Sequence, residues 1–371
     1  MKPTAGAPAA EEDAGEGWAA LAAELEISSD EESGGEDARA CVPCTVSAPP
    51  AVPLVVSRTT LTHAEFREQF RHQQPVVLRG FAASWPALSR WGTASHLGAL
   101  LQGHCEAGCA QGTVLVLRSH HGQKFIKRDC AEERRPFAAV VRELFGQRGC
   151  AGKSAADGAA GGTARSGCDE QAHAVASASV SDAGPAPMYS RAPLAAGLRA
   201  EVDLTGLAAL VGGAAAVGGV ETGASGVFKD SNCGVWLGSG GNSTPLHYDL
   251  CHGFLVQVIG VKTVTYFAPD DFRCLYQRAG QPELSNVDLD CWTHEQPCDG
   301  GPDAAAVAAE RARHPRFADA MPRTVTLRPG DVLYTPPFWW HHVRTGAEAA
   351  LSVLVPFDPA PEEPVHISHF V

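Results

Sequence analysis

Residues 243–267 read STPLHYDLCHGFLVQVIGVKTVTYF. From Phe254 the stretch is rich in β-branched residues and partly alternates apolar with polar, which predicts strands. Two later stretches read the same way: TVTLRPGDVLYTPPFWWHHVRT at 324–345 and ALSVLVPF at 350–357. Pro329-Gly330-Asp331 predicts the turn joining two of these strands. Many short strands separated by Gly and Pro turns predict a sandwich or barrel.

The first half adds helices. THAEFREQFRHQ opens at Thr62 with Glu65 three residues later, the pattern of a capping box. PVVLRGF (75–81) predicts a short buried strand, TASHLGALLQ (93–102) a helix, TVLVLRS (113–119) a strand and RRPFAAVVRELFGQ (134–147) a further helix. The expected class is mainly β with N-terminal helices, an α+β arrangement.

Composition sets the outer limits. The chain has 371 residues, 44% hydrophobic and 19% charged, enough for a sizeable core. Residues 1–52 predict a disordered acidic tail: ISSDEESGGED cannot bury enough apolar surface to order itself, and Ser28, Ser29 and Ser33 sit among acids. Residues 1–40 hold eleven Asp/Glu against Lys2 and Arg39, so most of the net charge of −13 lies there. Residues 147–187 are low-complexity Ala/Gly/Ser and predict a flexible insertion in a domain running from 53 to 371. The acidic balance disfavours nucleic acid and anionic membranes, and favours a protein or peptide partner of basic character. No apolar run reaches a membrane span. The N-terminus lacks the basic start and apolar run of a signal peptide, so an intracellular setting, cytoplasmic or nuclear, is expected, with the twelve Cys as reduced thiols. Little chain follows the last predicted strand, leaving small room for a C-terminal dimerisation element.

His247-Tyr248-Asp249 carries the chemistry. Residues i and i+2 of an extended segment share a face, so one imidazole and one carboxylate can point together into a barrel mouth. A histidine from a later strand would complete a two-histidine, one-carboxylate set with open positions, the arrangement of non-haem Fe(II) oxygenases. His341 and His342 compete for that place, and adjacent strand residues face opposite ways.

Taken together, TPLHYD (244–249), FLVQVIGVKTVTYFAPDDFRCLY (254–276) and GDVLYTPPFWWHHV (330–343) closely resemble the JmjC (cupin-like) Fe(II)/2-oxoglutarate oxygenases. PVVLRGF with WPALSRW (85–91), and HPRFADAMPRTVTLRPGD (314–331), resemble further segments of the small JmjC protein hydroxylases, the arginyl- and asparaginyl-hydroxylase types. The likeness covers residues 54–357 without the insertion. It implies a double-stranded β-helix (jelly-roll) core, with Fe(II) held by His247, Asp249 and His341. It favours His341 over His342, because the family's ligand directly follows the Trp. It implies 2-oxoglutarate bound by Lys262, Thr244, Tyr189 and Trp236. The implied reaction consumes O2 and 2-oxoglutarate, yields succinate and CO2, and hydroxylates a protein side chain. Other readings are N-methyl-lysine demethylation, RNA hydroxylation and, in a different class, a non-catalytic cupin scaffold. Two departures stand out. Gly253 replaces a frequent Asn, and the last strand reads Val355-Pro356-Phe357-Asp358.

The remaining residues of interest carry plainer expectations. Cys41 and Cys44 lack a second CxxC for zinc, and His104, Cys105 and Cys109 do not supply one. His120, His121 and His252 are expected as surface or turn residues, His252 close to the site. Trp339 and Trp340 are expected to pack beside the metal.

Overall fold

A corner at Gly260 organises the molecule. The preceding strand ends at Ile259 and the next begins at Lys262, yet the two belong to different sheets. Gly260 takes φ +74°, and a Cβ there would sit 2.7 Å from the Ala349 carbonyl, so only glycine fits. The computed structural model describes residues 55–102, 112–119, 124–125, 130–146, 187–212, 228, 232–293 and 304–370. The expected tail over 1–52, nearly all of the expected insertion over 147–187, Cys41, Cys44, His104, Cys105, Cys109, His120 and His121 lie outside these residues.

The strands are β1 (Val56–Arg58), β2 (Val76–Leu78), β3 (Thr113–Ser119), β4 (Cys130–Pro136), β5 (Tyr189–Pro193), β6 (Gly234–Gly238), β7 (Ser243–His247) and β8 (His252–Ile259). They continue with β9 (Lys262–Phe267), β10 (Gln277–Arg278), β11 (Gln281–Ser285), β12 (Arg323–Leu327), β13 (Val332–Thr335), β14 (Trp340–Thr345) and β15 (Ala350–Phe357). The larger sheet runs β1-β2-β13-β8-β15-β6-β5-β3-β4, and the smaller β10-β11-β7-β14-β9-β12. Neighbours are antiparallel apart from β1 with β2. The two sheets face one another across a cavity, consistent with the expected jelly-roll core.

Period-2 alternation sorts the large sheet. Val114 and Val116, Phe254, Val256 and Val258, Val332 and Tyr334, and Val353 and Val355 join a core shared with the helices. Their neighbours Leu117, Leu255, Leu333 and Leu354 line the cavity instead. Each fully buried Val, Leu or Phe contributes about 1.5–3 kcal/mol, so both faces of these strands are firmly specified.

The helices are α1 (His63–Gln69), α2 (Pro86–Arg90), α3 (Ala94–Ala99), α4 (Phe137–Phe145), α5 (Ala196–Arg199), α6 (Thr205–Val211), α7 (Leu289–Trp292) and α8 (Ala304–Arg313). None of the described helices is long and apolar enough to cross a membrane. Thr62 and Glu65 form the capping box at the start of α1. Glu201 knots the helical layer, accepting from the Trp91 indole at 2.7 Å and pairing with His96 and Arg90. The predicted helix over 134–147 is shorter at its start. Arg134, Arg135 and Pro136 belong to β4, which pairs along its whole length with β3. An exposed edge strand shows no apolar alternation, and Pro136, which has no N–H to donate, ends it.

Candidate metal centre and co-substrate pocket

β7 is extended, and its last residue, His247, stands opposite His341 in the antiparallel ladder with β14. Their ring centroids are 4.2 Å apart. Asp249, two residues beyond His247, brings Oδ2 to 3.7 Å from His341 Nε2. One ligating atom from each of His247, Asp249 and His341 lies within 4.8 Å of the others, the one such cluster among the described residues.

Both imidazoles are turned the same way by the backbone. His247 Nδ1 donates to the Pro245 carbonyl at 2.8 Å, and His341 Nδ1 to the Trp339 carbonyl at 2.9 Å. That tautomer leaves each Nε2 lone pair directed at the cluster. Burial, reinforced by His247, pushes His341 down to about 4, so it is neutral near pH 7 and available to a metal. Two imidazole nitrogens and one carboxylate suit Fe(II) and leave positions open.

A cavity of about 330 Å³ opens from this cluster between the sheets. Lys262 enters it at the start of β9, buried, with its ammonium 5.9 Å from the Tyr189 ring. Burial pushes the Lys262 amine down to about 8. A cation that deep is stabilised by an anionic guest. Tyr189 stacks on Trp236, ring centroids 5.0 Å apart, and its buried hydroxyl, pushed up in pKa, is hydrogen-bonded to Thr244. Thr244, Lys262, Tyr189 and Trp236 therefore share the wall of the cavity that holds His247, Asp249 and His341. A cation and two hydroxyls suit the distal carboxylate of 2-oxoglutarate.

His342 faces the other way. It lines a separate, polar cavity behind β7 and β14, where its Nε2 comes within 3.3 Å of Asp290 Oδ1 without hydrogen-bond alignment. Trp340 is fully buried and edge-on to Tyr248 at 4.7 Å. The Trp339 indole donates to the Gln73 carbonyl at 3.0 Å. Gly253 lines the cavity across from Pro356, and a Cβ there would meet only Leu354, at an ordinary 3.6 Å.

His252 corrects the surface expectation. It is wholly buried, Nε2 to Glu363 at 2.6 Å and Nδ1 to the Tyr334 hydroxyl at 2.8 Å, and stacks on Phe357. A saturated polar cluster makes a core site tolerable for histidine. Tyr266 was not among the sequence candidates. Its ring lies 5.8 Å from that of His341, and its hydroxyl bonds Thr335. The signal was available, because Lys262, Val264 and Tyr266 alternate along β9 and all three line the cavity.

A two-sheet barrel with this cluster at the mouth of its cavity is the design of the JmjC class of cupin-like proteins. A family model described as Cupin-like domain matches residues 62–363, and the chain belongs to that family. Jumonji C domain-containing protein 5 of Drosophila melanogaster is 33% identical over 113 residues, which is 30% of this chain and 24% of the relative. Lysine-specific demethylase 8 of Danio rerio is 31% identical over 123 residues, 31% of this chain and 25% of the relative. tRNA wybutosine-synthesizing protein 5 of Homo sapiens is 32% identical over 119 residues, 32% of this chain and 30% of the relative. The chain thus matches less than a third of each relative's length.

Proposed function

We propose that this chain is an Fe(II)- and 2-oxoglutarate-dependent oxygenase that hydroxylates a protein side chain. The observation that carries the reading is a single cavity containing both the His247/Asp249/His341 cluster and the buried Lys262 ammonium. With iron bound, 2-oxoglutarate and O2 provide the oxidation: succinate and CO2 leave, and one oxygen atom enters a substrate C–H bond. His247, Asp249 and His341 hold the ion, and the Nδ1 bonds of both histidines keep their rings oriented. Lys262, Thr244 and Tyr189 bind and orient the far carboxylate, with Trp236 behind the Tyr189 ring. Leu117, Phe125, Leu255 and Leu354 keep the inner cavity apolar and limit water.

The target enters beside Asp249, whose side chain is 51% exposed. Asp249 and Asp358 both act on the Cys251 thiol, and Glu283 on the Tyr248 hydroxyl, so this side of the site is acidic. That charge, with the chain's net −13, supports a basic peptide over RNA. An intracellular setting, cytoplasmic or nuclear, is part of the same proposal. Among the described residues, Cys251, Cys274 and Cys291 are free thiols, in keeping with that setting.

The test is incubation with Fe(II), 2-oxoglutarate and basic peptide libraries, followed by succinate assay and mass spectrometry. Peptides gaining one oxygen support hydroxylation. Formaldehyde release from methyl-lysine peptides supports demethylation, and modification confined to tRNA supports an RNA substrate. Lack of succinate under all conditions supports a scaffold.

A further inference from the structure

β7 and β14 bring His247 and His341 together, yet their ladder is broken beside those residues. His341 pairs with His247 and Val343 with Thr244, so one intervening residue of β14 opposes two of β7, Pro245 and Leu246. Pro245 has no N–H to donate to the ladder. The outer side of this gap faces a polar cavity of about 490 Å³, lined by Pro245 and His342 among others.

Asp290, in the first turn of α7, reaches both strands from that side, next to the gap, where Ser243 and Arg344 are ladder partners and His342 is the residue of β14 left unpaired with β7. Oδ2 accepts from Ser243 Oγ on β7 at 2.6 Å. Oδ1 lies 3.3 Å from His342 Nε2 and 3.5 Å from Arg344 Nη1, both on β14. The turn that carries Asp290 is itself anchored. The Asp288 amide donates to Glu310 Oε1 at 2.7 Å, Asp288 caps α7 through the Cys291 amide, and the Asp288 carboxylate pairs with Lys124.

We infer that Asp290 is a positioning residue: it clamps β7 to β14 beside the ladder gap, holding Ser243 against the outer face of His342 and Arg344, and thereby sets the separation of His247 and His341. The inference rests on the reading of those histidines as metal ligands. It assigns no chemistry to Asp290, which acts through Ser243 and the outer face of β14. The alternative is an ion pair that contributes to stability only.

Co(II) separates the two, because its affinity and its visible d–d absorption report ligand geometry without turnover. Wild-type protein and the Asp290→Leu, Asp290→Asn and Ser243→Ala variants are titrated with Co(II), and their melting temperatures are measured. Glu201→Gln serves as a stability control, since it loosens the knot with Trp91 and His96 in the helical layer. Asp290→Leu is expected to weaken Co(II) binding about tenfold and to alter the absorption band. Asp290→Asn keeps an acceptor for Ser243 and should recover most of the affinity. Ser243→Ala should lie between wild type and Asp290→Leu. Glu201→Gln should lower the melting temperature without moving either Co(II) readout. Wild-type affinity and spectrum in Asp290→Leu overturn the inference, as does an equal Co(II) shift in Glu201→Gln. If Asp290→Leu does not fold, wild-type Co(II) behaviour in Ser243→Ala overturns it alone. Failure of the wild-type protein to bind Co(II), or unchanged binding in His247→Ala, overturns the metal reading and the inference with it.

Discussion

His247 and His341 are direct cross-strand partners in the antiparallel ladder of β7 and β14, with ring centroids 4.2 Å apart. Strand pairing thus delivers two imidazoles from distant parts of the chain to one point. The next residue, His342, is sent to the opposite face by the same pleat. Replacing His341 by Ala should abolish tight Fe(II) binding, because two ligands remain and the open face grows. Replacing His342 by Ala should keep one bound ion per chain, with weaker affinity through loss of a contact to Asp290. Fe(II) titration of both variants decides it; tight binding in His341→Ala with loss in His342→Ala would reverse the assignment.

Asp249→Ala should eliminate 2-oxoglutarate consumption while the fold survives. Its side chain is 51% exposed, so the change should alter stability by no more than about 0.5 kcal/mol. Thermal unfolding and a succinate assay on the same sample check both halves. Near-normal consumption would show that the carboxylate is not a required ligand.

Lys262 gives the ligand-free protein a signature in alkali. Burial holds its amine at about 8, below the ordinary 10.5, so the unfolded chain binds the extra proton in between. Stability should therefore rise from pH 8 to 10.5, by up to about 3 kcal/mol. Saturating 2-oxoglutarate should flatten that rise by pairing the ammonium. Lys262→Met should also flatten it, and should raise the KM for 2-oxoglutarate by more than tenfold. Denaturant melts across this range, with and without 2-oxoglutarate, provide the measurement. A Met variant with unchanged KM would remove Lys262 from the pocket's function.

His252 should govern part of the acid response. Burial pushes its imidazole down to about 4 against the ordinary 6.5, with the Glu363 hydrogen bond working the other way. The unfolded chain takes up the proton first, so this contribution is complete above pH 6.5 and is lost as pH falls toward 4. Glu363, held below the usual carboxylate range by Arg71 and His252 despite its burial, extends the loss to lower pH. His252→Phe should flatten the stability profile between pH 6.5 and 4. An unchanged slope in urea melts across that window would place the acid sensitivity elsewhere.

Much of the site was legible in the sequence because its signals are local. An HxD in an extended segment puts two ligands on one face, and Lys262 stands at the head of an alternating strand. The capping box at Thr62 and Glu65 lies within one helical turn. The resemblance to JmjC proteins then singled out His341, a choice that alternation alone left open.

Tertiary structure decided what depends on partners distant in the chain. Arg134 and Arg135 are strand residues because β3 offers a ladder, which no local pattern announces. His252 is a core residue because Glu363 and Tyr334, far along the chain, saturate its ring. Asp290 reads as an ordinary acid near Trp292, and becomes a clamp only where Ser243 and His342 converge on it. Propensity and periodicity act over a few residues, and are therefore encoded where they operate. The Cys130–Pro136 pairing, the His252 burial and the closure behind His341 depend on contacts between residues far apart in the chain, which exist only once the two sheets have formed.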